Sequence, residues 1–576
     1  MSGLLEYCKK GLYRLNELNK KYDILNILII STVIILISYF AATHFYCVLS
    51  DRGREFLIPQ EILNGKVPYK DITLIYFPLG YYINAIIYKI LGVSINSLHI
   101  SQTFLCMIFI GFYYYCARLF TDKTGAFLLS LLAIVCGIFS TEDLFCYMFP
   151  YAYAQTYGIF CFFICIFCLI KLFKTDNIKY LYAASFFTGF CAACKLEFLS
   201  VFILLIFGLC IYKKLKLSQY FKTFILTLIV PFATFATLIA QGVRMNDLVS
   251  AIKFGYHFSK TASMNKFLTS VGMYPDIDAI IGSFAGNFSD LILILVLCFI
   301  FLKLSNKYSK LFLLPIPIMY WYSYYDNFGS MYFWSILPLL VLIFTLVKFK
   351  DLLNNDRSLL ILLIGSLFLS QRIFFVLLLT VYGPFSLLFL TLSLYILLVK
   401  YGPREIYNVS LKNILNYTLI IVIGIYSLNY YYKVNTTNFK ISSDLGTIYV
   451  DQDYYEPLKS TLDYVDKKVG KDETVLLLPE GNIINFLSQR KVDMKCFMMD
   501  RLYHDGYGEE KARDMVANTN SDYIIIFEGF DLFDFYAPYL YQEDQTVLFK
   551  YIKSHYKAVR NLHYDYGDIT IYKKML

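Results

Sequence analysis

The sequence has little charge, and it lacks the cysteines that a disulfide-rich outer domain would need. Charged residues make up 16% of its 576 residues and hydrophobic residues 58%, against about a quarter and about half in soluble globular chains. This shortage of charge excludes an ordinary soluble protein and indicates a lipid environment. The segment after residue 432 contains a single cysteine, Cys496, which excludes a disulfide framework there.

Two further features are missing. We find no glycine-rich phosphate loop, so nothing in the sequence indicates a P-loop nucleotide site. We also find no cleavable signal peptide, because the apolar run after the basic N-terminus is longer than a signal sequence requires. Most of the 14 cysteines lie inside apolar runs, where they are expected to act as small hydrophobic residues and not as metal ligands.

Long apolar runs dominate the first three quarters of the chain. A spanning helix needs roughly 20 apolar residues, and on this basis we expect about thirteen spans. The candidate spans are 24–47, 98–118, 124–140, 155–173, 178–194, 196–212, 220–240, 288–304, 311–325, 330–348, 358–373, 376–399 and 412–432.

Lysine and arginine are concentrated in every second connection between these runs. The positive-inside rule places such connections, and the basic N-terminus, in the cytoplasm. An odd number of spans then places the C-terminal segment outside. The net charge of +9 is therefore a topology signal, and we expect no nucleic-acid partner.

Two connections on the opposite side are long. The first, 48–97, contains an apolar segment at 76–92 that would invert all later loops if it crossed the membrane. We therefore expect it to lie in the membrane interface, anchored by Tyr81, Tyr82, Tyr88 and Lys89. The second long outer loop is 241–287.

The last quarter of the chain changes character. Short apolar runs at 474–479, 522–529 and 568–574 predict strands, and the patterns at 455–469 and 509–518 predict helices. Strands alternating with helices indicate a small α/β domain. We therefore expect a transmembrane domain over 1–432 and an extracytoplasmic α/β domain over 433–576.

The outer connections contain the residues best suited to chemistry. Asp51 directly follows the first span, where a carboxylate can act as a general base or hold a divalent cation. Glu142 and Asp143 form a second acidic outer turn that could contribute to catalysis by holding an acceptor or a metal ion, although a helix cap or a solvated turn is the simpler role. Asp71 and His257 are candidate ligands for a divalent metal ion, the only cofactor the sequence suggests.

A set of short motifs lies in order along nearly the whole chain. The motifs are Asp51-Arg52-Gly53, Gly65-Lys66-Val67-Pro68-Tyr69-Lys70-Asp71, Pro78-Leu79-Gly80-Tyr81-Tyr82, Phe149-Pro150-Tyr151-Ala152-Tyr153-Ala154, Gly189 with Lys195-Leu196-Glu197, Arg372 with Tyr382-Gly383-Pro384-Phe385, and Pro479-Glu480-Gly481 with Ile484-Asn485-Phe486-Leu487. In this order they resemble the GT-C superfamily of lipid-linked-sugar glycosyltransferases. The most similar branch is glycosyltransferase family 39, which includes aminoarabinose transferase and the protein mannosyltransferases.

This resemblance implies an inverting hexosyl- or pentosyltransferase whose essential acid is Asp51. It implies a polyprenyl-phosphate-linked sugar as donor and transfer on the outer face of a bacterial plasma membrane. The sequence departs from the protein mannosyltransferases at Arg52, where they usually have a second acid. The acceptor, whether a cell-envelope glycan, a lipid or a protein, does not follow from the resemblance.

A lipid-linked donor needs cations at the level of the outer headgroups. Lys195 and Arg372 lie at the outer ends of predicted spans, and ionisable residues there are suspected of function. We therefore predict that they bind the donor phosphate, with a Lys195–Glu197 ion pair as the structural alternative. A transporter or flippase for a lipid-linked substrate, and a non-catalytic scaffold, are the competing functions.

Overall fold

The computed structural model describes most of the chain on both sides of a central gap. The described ranges are 23–46, 48–74, 76–140, 145–270, 337–371, 383–406, 408–493, 495–529, 546–565 and 567–575, with single positions between 271 and 336. Of the expected spans, 311–325 lies outside these residues, and 288–304, 330–348, 358–373 and 376–399 are described in part.

The described residues before 437 form mainly helices. They are α1 (Asp23–Ala41), α2 (Arg52–Leu63), α3 (Leu79–Leu91), α4 (Ile95–Arg118), α5 (Lys123–Ala133, continued by a π-helical turn Ile134–Ile138), α6 (Tyr153–Thr175), α7 (Lys179–Cys194), a 3₁₀ turn (Leu196–Leu199), α8 (Ser200–Tyr212), α9 (Leu217–Ala240), α10 (Met245–Phe258), α11 (Ala262–Ser270), α12 (Leu337–Asn355), α13 (Arg357–Leu369), α14 (Gly383–Tyr401) and α15 (Leu411–Thr436). Short strands β1 (His44–Phe45), β2 (Glu405–Ile406) and β3 (Val409–Ser410) lie between them.

Six helices of the described part are long and apolar enough to cross a membrane: α1, α4, α6, α9, α14 and α15. Their starts follow local rules. For example, the side chain of Ser94 caps α4 by accepting a hydrogen bond from the amide of Ser97, which satisfies a donor that the helix leaves unpaired. The chain is a multi-pass helical membrane protein.

The first and last of these helices end on the same side of the bundle. Strand β1 directly follows α1, and it pairs in parallel with β5 (Gly446–Val450), which lies soon after α15. Tyr430 in the last turns of α15 also donates a hydrogen bond to the carbonyl of Ala41 (3.0 Å). A shared side for the ends of α1 and α15 favours an odd number of crossings, which stays a prediction.

The basic connections contact one another at the other end of the bundle. Neighbouring connections are joined by Arg118 with Asp23, Lys174 with the carbonyl of Leu119, Lys214 with Asp176, Arg357 with the carbonyl of Ile211, Lys400 with Asp356, and Lys412 with Asp122. The long loop after α1, the start of α6 and the C-terminal segment meet at the opposite end. The positive-inside rule predicts that the end with the basic connections faces the cytoplasm.

This arrangement predicts the result of a labelling experiment. Ser218 at the start of α9 is exposed at the basic end, and the side chain of Asp472 is fully exposed in the C-terminal segment. In intact cells an impermeant thiol reagent should label Asp472→Cys and not Ser218→Cys. Both variants are made in a Cys210→Ser background, because Cys210 is exposed whereas the other described cysteines are buried. Labelling of Ser218→Cys alone would invert the topology.

Helix α3 forms within the segment predicted to lie in the membrane interface, but two of its predicted anchors are wrong. Tyr81 and Tyr88 are buried, because they share the face of α3 that packs inward with Asn84 and Ala85. The exposed side of the helix carries Lys89 together with apolar residues.

The C-terminal segment contains the predicted strands and helices. Strands β6 (Val475–Leu478), β7 (Tyr523–Glu528), β9 (Gly567–Lys574) and β8 (Tyr556–Tyr564) form one sheet in that order, with β6 and β7 parallel and the other pairs antiparallel. A second sheet joins β1 and β5 to β4 (Phe439–Ser443). The helices are α16 (Gln452–Lys468), α17 (Asn482–Ser488), α18 (Arg501–Tyr507), α19 (Glu509–Thr519) and α20 (Val547–His555).

This C-terminal α/β unit, residues 439–575, packs directly on the first outer loop. The amide nitrogen of Ile483 in α17 lies 2.1 Å from the position that a Cβ atom on Gly53 would occupy. The backbones of α2 and α17 therefore touch, and only glycine at position 53 allows this approach. The rings of Phe56 and Phe486 pack beside this contact, with centroids 5.5 Å apart.

Candidate active site

Asp51 lies in a strained turn immediately before α2. Its backbone angles are φ 53° and ψ −48°, which are uncommon for any residue other than glycine. The amide of Arg52 donates to the carbonyl of Ser50 (2.5 Å), so Asp51 is the central residue of a γ-turn with positive φ, the rarer and more strained form. Such strain persists where surrounding contacts hold it, and it is concentrated at functional sites.

Contacts from two parts of the chain hold Asp51. The guanidinium Nη2 of Arg54 lies 2.5 Å from Oδ1 of Asp51, and the backbone amide of Asp51 donates to Oε1 of Glu480 (2.8 Å). The side chain of Asp51 keeps 24% of its surface exposed, whereas that of Arg54 keeps 7%. Asp51 is thus the accessible acid at the seam between the first outer loop and the C-terminal unit.

The other carboxyl groups of this seam are buried. Burial raises the pKa of Glu480 to about 8, with the charge of Asp51 adding to the rise and Arg54 opposing it. Burial likewise raises the pKa of Asp500 to about 7, against the amide hydrogen bond from Tyr503 that stabilises its charge. Burial raises the pKa of Glu55 to about 7 in the same way, because removing a carboxylate from water disfavours its charged form.

Glu55 connects this acidic seam to the start of α6. Its Oε2 accepts a hydrogen bond from the amide of Tyr153 (2.9 Å), and its Oε1 accepts one from the hydroxyl of Tyr81 (2.7 Å). Arg54 lies 3.9 Å from the same carboxylate. The α6 start is therefore fixed relative to Asp51 through two adjacent residues of α2.

Lys195 lies directly after α7, buried in a polar and aromatic cage. Its Nζ donates to the hydroxyl of Tyr151 (2.6 Å) and to Oε1 of Gln155 (2.8 Å), and it lies 4.6 Å from the centroid of the Tyr76 ring. The carboxylate of Glu197 is 3.5 Å away, so the ion pair raised as a structural alternative is present. Aromatic faces and an acid together stabilise a buried ammonium.

The other predicted site residues fall in different places. Glu142, Asp143 and Arg372 lie outside the described residues. Asp71 accepts a hydrogen bond from the amide of Val67 (2.9 Å), which closes a turn, and His257 is exposed in the last turn of α10. Over the described ranges no three His, Cys, Asp or Glu side chains are grouped as metal ligands, so the divalent-metal site stays a prediction.

The sequence did not reveal Arg54, Glu55 or Asp500 as part of the site. Arg54 and Glu55 stand in the same charged stretch as Asp51, and both are buried in the first turn of α2. That combination of charge and burial could have marked them. Asp500 lies outside the quoted motifs, and only the packing of the C-terminal unit brings it near Asp51.

The raised pKa values predict that stability falls as pH rises. Between the ordinary pKa near 4.5 and the folded value of about 8, Glu480 keeps its proton in the folded protein and loses it on unfolding. The free energy of unfolding therefore decreases as pH rises through this window, by at most ~1.4 kcal/mol for each unit by which the pKa is raised. Glu55 and Asp500 act in the same direction up to about 7.

The melting temperature in one detergent should therefore decrease between about pH 5 and pH 8. Glu480→Gln should make that decrease smaller, since the amide does not titrate. The control is Asp463→Asn, which also replaces a carboxylate by an amide but at a partly exposed ion pair with Lys459. It should leave the dependence of melting temperature on pH unchanged between pH 5 and pH 8. Equal slopes for Glu480→Gln and the parent protein would contradict the prediction.

Comparison with known proteins gives structural similarities alone. No protein-family profile matches the sequence, and no curated protein matches it either. ArnT from Cupriavidus metallidurans, solved with undecaprenyl phosphate, aligns over 95% of this chain and 97% of that chain, with 10% identity and a TM-score of 0.43. The apo oligosaccharyltransferase of Archaeoglobus fulgidus aligns over 88% of this chain and 69% of that chain, with 12% identity and a TM-score of 0.47.

A second structure of the archaeal enzyme, AglB in complex with an inhibitory peptide and a dolichol phosphate, aligns over the same shares with 13% identity and a TM-score of 0.42. ArnT and AglB are both members of the GT-C superfamily, the superfamily that the motifs resemble. Identities and TM-scores of this size assign neither residues nor an activity to this chain, so its function is argued from the site itself.

Proposed function

We propose that the protein is a membrane glycosyltransferase that transfers a sugar from a polyprenyl-phosphate donor to an acceptor on the outer face of the membrane. One observation carries the proposal: four motif positions that are far apart in sequence lie in one polar cluster. Asp51 contacts Glu480 (2.8 Å), Lys195 contacts Tyr151 (2.6 Å), and Glu55 joins the two halves through the amide of Tyr153.

In the proposed reaction Asp51 is the general base. Its carboxylate takes a proton from a hydroxyl or amine of the acceptor, whose lone pair attacks the anomeric carbon of the donor sugar. The bond from that carbon to the phosphate oxygen breaks, and the lipid phosphate leaves with the bonding electrons. Attack opposite the leaving group inverts the anomeric centre. A base whose side chain remains partly exposed suits this role, because an acceptor can reach it.

Lys195 is proposed to stabilise the leaving phosphate. Negative charge grows on the phosphate as the bond breaks, and a cation fixed in place stabilises that charge without reorganising. The hydroxyl of Tyr151 and the amide of Gln155 hold the ammonium in position, at the end of the bundle opposite the basic connections. Arg372 remains a predicted second cation. The acceptor is proposed to be a component of the cell envelope.

A transporter or flippase for a lipid-linked substrate is the alternative. Transporters generally place charged residues and broken helices near the middle of the membrane. Here the buried acids and Lys195 lie beyond the ends of α1 and α7, next to the C-terminal unit. Conversion of the donor to free polyprenyl phosphate distinguishes the enzyme from a protein that only moves the intact lipid.

Lys195→Ala is expected to weaken the response of the protein to polyprenyl phosphate. Binding of undecaprenyl phosphate should raise the melting temperature of the parent protein in detergent, and the variant should lose most of that rise. Its turnover should fall by about 10- to 100-fold, because one cation that stabilises the developing charge is removed.

Glu197→Gln provides the matched test. If the Lys195–Glu197 pair is only structural, the two variants should lose similar stability and keep the ligand response. If Lys195 serves the phosphate, Glu197→Gln should keep the response while Lys195→Ala loses it. An unchanged ligand response in Lys195→Ala would remove this residue from the proposed site.

A further inference from the structure

Glu480 belongs to the C-terminal α/β unit, yet its carboxyl group contacts the backbone of the first outer loop. It lies between β6 and α17, is 2% exposed, and accepts the amide hydrogen of Asp51 at 2.8 Å. We propose that Glu480 is a positioning residue that holds Asp51 in its strained turn, so that the C-terminal unit completes the active site. This inference rests on the proposed function, in which Asp51 is the base.

The conformation of Asp51 requires an acceptor for its backbone amide. A γ-turn with positive φ leaves the amide of the central residue pointing away from the turn, where it needs its own acceptor. Oε1 of Glu480 supplies that acceptor. Without this acceptor, the amide of Asp51 would remain unpaired at a partly buried position. Residue 51 would then relax to an ordinary extended or helical conformation in which the amide finds another partner. The carboxylate of Asp51 would then turn to a different direction.

The neighbours of Glu480 in the C-terminal unit hold it close to Asp51. Two residues later α17 begins, and its backbone at Ile483 touches α2 at Gly53. The hydrogen bond between Asn482 and the carbonyl of Phe497 (2.6 Å) fixes the same end of α17. Backbone contact therefore fixes the separation between the backbones at positions 51 and 480, and the buried side chain of Glu480 spans it.

The balance of charge around Asp51 favours a neutral Glu480. The ionisable groups around Glu480 are Asp51, Arg54 and Asp500. If Glu480 and Asp500 were both ionised beside Asp51, the negative charge of the cluster would exceed the single positive charge of Arg54. A protonated Glu480 removes this conflict, because its carboxyl group still accepts the amide hydrogen of Asp51. Burial, which raises the pKa of Glu480, favours that neutral form.

Two variants of nearly equal shape test the inference. In Glu480→Gln the amide oxygen can still accept the hydrogen bond from Asp51, whereas Glu480→Met fills the same space without a strong acceptor. We expect the kcat of Glu480→Met to fall by about 10- to 100-fold, since displacing a reacting group by about 1 Å can cost that much. Its KM for the lipid donor should stay within about threefold, and Glu480→Gln should keep most of the parent kcat.

Asn485→Ala is the matched control for stability. Asn485 is buried in α17, and its amide donates to the carbonyl of Val475 (2.9 Å), away from Asp51. This variant should lower the melting temperature without lowering kcat.

A kcat for Glu480→Met equal to that of Asn485→Ala would overturn the inference, and so would equal losses of kcat in Glu480→Met and Glu480→Gln. If Glu480→Met does not fold, a parent-like kcat for Glu480→Asn, whose shorter amide cannot reach Asp51, would also overturn it. Absence of transfer by the parent protein would instead contradict the proposed function.

Discussion

Asp51→Asn is expected to abolish sugar transfer while leaving the protein folded. Asparagine has the same size, and the hydrogen bond to Glu480 comes from the backbone of residue 51, so the turn should be retained. The amide cannot take a proton from the acceptor, and losing a general base typically costs on the order of 10² to 10⁴ in rate. The measurement is release of free polyprenyl phosphate by the purified protein in detergent.

Glu61→Gln is the matched control for that experiment. Glu61 lies in the same helix α2 and forms an ion pair with Lys66 (2.6 Å), away from Asp51. Its removal should leave turnover close to that of the parent protein, because the carboxylate of Glu61 contacts Lys66 and Asn64 and no residue of the proposed site. Near-parent turnover by folded Asp51→Asn would show that Asp51 is not the base.

Gly53→Ala should separate the first outer loop from the C-terminal unit. The added Cβ would lie 2.1 Å from the amide nitrogen of Ile483 and 2.6 Å from the carbonyl carbon of Asn482. Both atoms belong to the backbone, so neither can rotate away, and the two helices must move apart. Overpacking of this kind typically costs ~1–3 kcal/mol. It should also reduce turnover, because Asp51 lies two residues from Gly53 and Glu480 lies two residues from Asn482.

Gly255→Ala provides the control for the loss of a helical glycine. Gly255 lies in α10 with nothing within 4 Å of the added Cβ, and alanine favours helix over glycine by up to ~1 kcal/mol. It should therefore keep or slightly raise the melting temperature. If Gly53→Ala melts and turns over like Gly255→Ala, the close contact between α2 and α17 does not exist in solution.

The sequence was sufficient for features that depend on short stretches of chain. Apolar runs predicted the helices, because a span needs only a local series of apolar residues. The alternation of basic connections predicted that they would meet at one end of the bundle, as the pairing of Lys214 with Asp176 shows. The strands at 475–478 and 523–528 followed from short runs of apolar residues. The sequence also marked Asp51 and Lys195 as residues able to carry chemistry.

Only the tertiary structure decided how those residues are held. Asp51 and Glu480 are separated by 429 positions, and their contact depends on the backbone approach of Gly53 to Ile483. The structure also gave Lys195 two hydrogen-bond acceptors and a carboxylate neighbour, where the sequence left phosphate binding and an ion pair as alternatives. Hydropathy and spacing describe how each segment meets solvent or lipid, whereas contacts between distant segments depend on the shapes that pack together.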